Sequence, residues 1–287
     1  MAMKAFALAL LLLGCARPEP APSPLRTTAS APLDLSTPSP SGSIPLAESE
    51  LPAAPAPPKA APLAQAGELV ALEVPGFLPA VVSVPLSARA AHPVAVAFHG
   101  NFDRPEWQCE IFRGVIGAHG FLLCPRGSAR RDVPKQMDRW EYASGPKMAA
   151  ELEAALTALG ERYGANVDPG PIAFIGFSLG AIYGAPIVQK SPARYPRGVF
   201  VEGGHGAWTV ASAKKYAAGG GLRLFLACGQ GPCLDKAKRT APLLTRAGLP
   251  TQSGGSAKAG HTYDGAVSDS VRAAWPWLVE GDSRWSD

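Results

Sequence analysis

Ile172-Ala173-Phe174-Ile175-Gly176-Phe177-Ser178-Leu179-Gly180-Ala181-Ile182-Tyr183 is the stretch whose reading decides the fold of this chain. Its first half is a continuous apolar run, read as a buried strand, and its second half opens a helix. A backbone that turns from strand to helix within a residue or two forces the central serine into a strained geometry and leaves its hydroxyl exposed above the sheet. Gly176 and Gly180 allow strand and helix to approach closely. In a chain with 31 glycines a five-residue Gly-x-Ser-x-Gly pattern can arise by accident, so its surroundings have to agree with it.

They do agree. Leu69 to Val74 and Ala80 to Val84 read as an antiparallel pair of strands around the turn Pro75-Gly76. Val94 to Phe98, Phe121 to Cys124, Ile172 to Phe177, Gly198 to Val201 and Leu222 to Ala227 are short, nearly continuous apolar runs, as expected of parallel strands covered on both faces. Met148, Leu152, Leu156, Leu159 and Tyr163 recur at helical spacing, with Pro146 in the first turn and Gly164 after the end. A last helix is expected from Ala266 to about Val279. Alternating strands and helices give an α/β architecture with a mostly parallel, doubly wound sheet flanked by helices.

The chain of 287 residues is 47% hydrophobic, enough for one large core, so a single globular domain is expected over 67–287. Net charge is +4, and no dense Lys/Arg stripe with interleaved aromatics occurs, which argues against a nucleic-acid role. Before the domain, 15–66 is rich in Pro, Ala and Ser without apolar periodicity and reads as a disordered stalk. At the start, Lys4 precedes the apolar run Ala5 to Leu13, too short to span a bilayer permanently and long enough for a signal segment over 1–14. The ending Leu12-Leu13-Gly14-Cys15 resembles the lipobox of bacterial lipoproteins, which implies lipidation at Cys15 and a lipid-anchored protein of the cell envelope. Ala16 after it resembles lipoproteins sent to an outer membrane. An ordinary secretory leader is the alternative, and either reading exports the protein.

Four further cysteines pair by position, Cys109 with Cys124 and Cys228 with Cys233, and in an oxidising compartment both pairs can form disulfides. Buried free thiols are the other reading.

His99-Gly100 after the third core strand, the elbow at Ser178, and Gly260-His261-Thr262-Tyr263 before the last helix occur in the order of the α/β-hydrolase family, which 67–280 resembles. The resemblance implies an α/β-hydrolase fold in which Ser178 is a nucleophile activated by His261 as general base. It also implies oxyanion donors at the amide of Leu179 and in the loop after Gly100, at Asn101 or Phe102. Its usual place for the acid puts Asp235 first, with Glu202 as the alternative and Asp264 a distant third. Asp235 also suits a helix N-cap. His99 reads as a structural hydrogen-bonding residue.

Between Val201 and Leu222 the chain is too short for a large helical lid, and Phe177, Trp208 and Tyr263 are candidates for a substrate pocket. Each is also a natural core residue. The loop from Arg126 to Gly145 carries Arg126, Arg130, Arg131, Lys135, Arg139 and Trp140, suited either to anionic or sugar-bearing substrates or to solvent. Cys124-Pro125-Arg126-Gly127 and the loop after it are similar to the secreted esterase and depolymerase branch, which favours an esterase over a peptidase. The substrate implied is a small or polymeric ester. A catalytically inactive, ligand-holding scaffold on the same fold is the competing function. Glu202 and His205 are two neighbouring metal ligands without a third at a recognisable spacing, so neither a metal nor an organic cofactor is expected. The oligomeric state is not legible.

Overall fold

A computed structural model describes residues 63–286. The signal segment, Cys15 and the stalk up to residue 62 lie outside the described residues. The chain enters through a turn at 63–66, with Leu63 packed against the core.

An eight-stranded sheet follows, in the order β1-β2-β4-β3-β7-β8-β9-β10. β1 (Leu69–Leu72), β2 (Ala80–Ser83) and β4 (Phe121–Cys124) pair antiparallel. From β4 onward the pairing is parallel through β3 (Val94–Phe98), β7 (Ala173–Phe177), β8 (Arg197–Val201), β9 (Arg223–Cys228) and β10 (Thr251–Gly255). Two-residue strands β5 (Ser128–Ala129) and β6 (Trp140–Glu141) form a separate antiparallel hairpin.

β3, β7 and β8 are buried at every position, because each face of the sheet carries its own apolar core. Val94, Val96 and Phe98 point into one core, with residues of α2 (Gly145–Tyr163), α3 (Leu179–Lys190), α4 (Val210–Ala218) and α5 (Gly231–Arg246). Ala95 and Ala97 point into the other, with α1 (Pro105–Ile116) and α6 (Ala266–Val279). The alternation along one strand therefore assigns both layers. α2 begins where Ser144 accepts from the Lys147 amide at 3.3 Å and ends at Gly164, as the helical spacing predicted.

Cys109 in α1 is bonded to Cys124 at the end of β4, with their Cα atoms 6.0 Å apart. Cys228 at the end of β9 is bonded to Cys233 in the first turn of α5, with Cα atoms 5.6 Å apart. Among the described residues no helix is long and apolar enough to cross a membrane.

The strand order reverses around β3, with β4 on one side and β7 on the other. Loops leaving the carboxyl ends of β3 and β7 therefore diverge and leave a crevice, the usual ligand position in an open α/β sheet. His99-Gly100 leaves one of these ends and Ser178 the other.

Candidate active site

Ser178 sits between β7 and α3 with φ 48° and ψ −112°, a conformation that costs on the order of 1–3 kcal/mol for a residue with a side chain. The surrounding glycines make room for it. A Cβ on Gly176 would lie 2.8 Å from the Ala181 Cα, and one on Gly180 would overlap the Phe98 carbonyl. Both would push α3 away from the sheet and open the elbow.

His261 arrives on the loop between β10 and α6. Its Nε2 lies 2.9 Å from Ser178 Oγ, within reach of the hydroxyl proton, and its Nδ1 lies 3.4 Å from Glu202 Oε2. Glu202 follows β8 directly, and its side chain is only 3% exposed while that of His261 is 47% exposed. The other carboxylate oxygen, Oε1, accepts from the amides of Gly229 and Gln230, the latter at 2.7 Å. One oxygen is thus held by the backbone and the other faces the imidazole. A buried carboxylate in this setting holds the ring with Nδ1 protonated and Nε2 free to accept.

Asp235, the first choice for this partner from the sequence, is on the exposed surface of α5 in its second turn. The expectation is corrected by the loop that precedes it: Gly229 and Gln230 turn inward onto Glu202, and Gln230 rather than Asp235 is the N-cap of the helix. Asp264 is also exposed, and its carboxylate accepts from the Gly265 amide.

Leu179 opens α3, so its amide precedes any intrahelical acceptor. The Asn101 amide donates to no backbone carbonyl among the described residues. The amide of Phe102 is not available, because it donates to the Trp140 carbonyl at 3.0 Å while Phe102 holds φ at 63°. Of the two candidates in this loop, the geometry therefore leaves Asn101.

His99 is fully buried, with Nδ1 2.7 Å from the Gly100 carbonyl and Nε2 2.8 Å from that of Arg126. Burial holds its pKa below the ordinary imidazole value. It links the loop after β3 to the loop after β4, as expected of a structural residue. Asp103 was not singled out by the sequence. Its carboxylate accepts from the Gly100 amide at 3.3 Å and from the Tyr263 hydroxyl at 3.2 Å, so it joins the loop of Asn101 to the loop of His261. Burial, then the charge of Asp103, drives the Tyr263 phenol far above its usual range. The short Asn101-Phe102-Asp103 segment carried no sequence signal for a tie to a tyrosine so far along the chain.

A cavity of about 520 Å³ opens beside His261, walled by Phe102, Trp107, Ile111, Phe177, His261 and Tyr263. Phe177 packs 5.0 Å from the His261 ring and 4.8 Å from that of Tyr263, measured between centroids. Trp208 is not part of it. Its ring is 3% exposed and wedged edge-on between Phe200 and Tyr216 in the core, because the turn after β8 folds inward under α4. Arg126 and Arg130 of the basic loop lie over Trp140 and Phe102, and Arg139 lies over Phe102 and Trp107.

No family model and no curated protein matches this sequence. Solved structures do. The chain is similar to a ferulic acid esterase at 13% identity with a TM-score of 0.55, over 74% of this chain and 97% of that one. It is similar to a protein of Thermus thermophilus at 16% identity with a TM-score of 0.50, over 77% of this chain and 98% of that one. Likenesses at such identities concern the path of the backbone, and with the strand order and the placement of the elbow they establish that this chain has the α/β-hydrolase fold.

Proposed function

We propose that this chain is a serine hydrolase acting on carboxylic esters through an acyl-enzyme at Ser178. The observation that carries the reading is the line of contacts from Ser178 Oγ to His261 Nε2, at 2.9 Å, and from His261 Nδ1 to the buried Glu202, at 3.4 Å. The Ser178 hydroxyl passes its proton to Nε2 as Oγ attacks the ester carbonyl. The amides of Leu179 and Asn101 receive the negative charge of the tetrahedral intermediate, and the N-terminal end of α3 adds its dipole. His261 then gives the proton to the departing alcohol and afterwards draws one from the water that hydrolyses the acyl-enzyme. Glu202 fixes the ring and stabilises its cation.

The open site, with His261 half exposed, suits bulky or polymeric esters, and likeness to a ferulic acid esterase supports esters over peptides. An intact serine, base and acid support catalysis over the ligand-holding alternative. In the same reading the protein is exported and held on a membrane through Cys15. Hydrolysis of short aryl esters and labelling by a fluorophosphonate are both expected of the wild type and lost in Ser178→Ala. Retention of both by the variant overturns the assignment. Cys15→Ala is expected to move the protein from the membrane fraction to the soluble one.

A further inference from the structure

A second cluster of chemically active side chains lies behind the acid of the site. His205, Cys228 and Cys233 bring one ligand atom each to within 4.8 Å of one another. The sequence offered His205 beside Glu202 without a third ligand, and folding replaces that pair with a different set. β8 ends next to β9, so the turn after β8 places His205 against the Cys228 end of β9, and the Gly229-to-Pro232 turn returns Cys233 to the same point.

The imidazole is oriented. His205 is 5% exposed, and its Nε2 donates to the Phe200 carbonyl at 2.9 Å, which leaves the Nδ1 lone pair directed at the two sulfurs. Nδ1 lies 3.9 Å from Cys228 Sγ and 3.8 Å from Cys233 Sγ. Around a tetrahedral zinc, with bonds of about 2.3 Å to sulfur and about 2.0 Å to nitrogen, nitrogen and sulfur ligands sit roughly 3.5 Å apart. Four residues separate Cys228 from Cys233, within the spacing of cysteine pairs that share a zinc. A ligating histidine whose second ring nitrogen donates to a backbone carbonyl is the usual outer arrangement of such sites.

We propose that His205, Cys228 and Cys233 form a binding site for a soft divalent cation, zinc foremost, which opens when the Cys228–Cys233 bond is reduced. The oxidised and metal-bound states exclude each other, since the sulfurs share a bond in one and ligate in the other. A dithiol reductant supplies two electrons and two protons to the bond, leaves as its own disulfide, and yields two thiols. Binding of the cation releases one proton from each thiol, and Nδ1 completes three ligands with a fourth position open to water. Cys233 is half buried in the first turn of α5, which gives the reductant an approach and favours its thiolate. Gly229 and Gln230, which hold Glu202, lie inside the ring closed by the two cysteines, so the ion would brace the same turn that the disulfide braces.

The test is a cobalt(II) titration of the full chain, reduced anaerobically with a phosphine and freed of it by gel filtration. Reduced wild type is expected to take up one equivalent with a thiolate-to-cobalt charge-transfer band, displaced by zinc(II) and absent from the oxidised protein. His205→Gln is expected to weaken binding at least about tenfold, and Cys233→Ser to abolish the band. Cys109→Ser/Cys124→Ser is expected to retain it, which separates this site from the other thiols. Absence of the band in reduced wild type overturns the proposal. Unchanged affinity in His205→Gln, or a band that follows Cys109 and Cys124, also overturns it.

Discussion

Glu202 shows how a single residue is committed to its task. It leaves β8 with φ 51°, a left-handed conformation unfavourable for a glutamate, and is kept there by its own amide donating to Ala227 at 2.9 Å and by two amides on its carboxylate. Replacing it by glutamine tests its role with little change of shape. The side-chain carbonyl can still accept from Gly229 and Gln230, which turns the NH₂ group toward His261 Nδ1 and favours the tautomer that cannot accept from Ser178. Glu202→Gln is therefore expected to lower kcat by roughly a thousandfold to ten-thousandfold with a small change in KM. Asp235→Asn should stay within about twofold, as expected for an exposed helical residue. Steady-state kinetics of both variants on one aryl ester decides it, and the opposite ranking would return the acid to Asp235. The meeting of Ser178 and His261 could be anticipated from the sequence because local pattern marks both positions: an elbow needs its glycines, and the histidine loop precedes a helix. Glu202 stood only second to Asp235 there, since which carboxylate meets His261 depends on which strand end faces it in space.

Among the elements, those buried on both faces could be read directly, and those whose surroundings are polar could not. β10 is Thr251-Gln252-Ser253-Gly254-Gly255, a mostly polar strand at the edge of the sheet, where partial exposure removes the apolar run that marks a central strand. The β5–β6 hairpin is hidden for a similar reason, within a basic loop. Its placement gives it a function in the proposed mechanism. Trp140 accepts from the amide of Phe102 and donates to the carbonyl of Asp103, while Arg130 bonds the Asn101 side chain and lies over the Phe102 ring. The hairpin thus grips each residue of the loop that presents the Asn101 amide. Arg130→Met keeps much of the packing and removes the hydrogen bonds. It is expected to lower kcat about tenfold or more with KM little changed, since small displacements of oriented groups are costly. Affinity for a boronic acid that mimics the tetrahedral intermediate should fall in parallel, with the melting temperature moved by only a few degrees. A rise in KM alone would show that the hairpin serves binding and not the oxyanion site.

At the scale of the whole molecule, the face that carries Ser178 and His261 is held by loops, while the C-terminal turn is fastened by charge. Arg197 in β8 donates to the Leu278 carbonyl at 2.9 Å and to Asp282 at 3.3 Å, with side chains only 8% and 10% exposed. Arg284 adds bonds to Asp282, at 2.7 Å, and to Asp168, at 2.9 Å, so a central strand, the C-terminal turn and the approach to β7 form one ionic network. Burial alone would raise the Asp282 pKa. Hydrogen bonds from Arg284 and the charges of Arg284 and Arg197 outweigh it and hold the carboxyl below its ordinary value. A carboxyl depressed in the folded state contributes stability that is complete above its unfolded pKa of about 3.9 and is lost as the pH falls through that value toward the folded one. Asp282→Asn leaves the buried Arg197 and the partly exposed Arg284 short of their shared partner and is expected to cost about 3 kcal/mol at neutral pH. Urea unfolding at a series of pH values should show this gap constant from pH 7 to about 5 and shrinking below about pH 4, where protonation does to the wild type what the substitution has already done. A gap that persists undiminished at low pH would show that Asp282 contributes through packing and not through its charge.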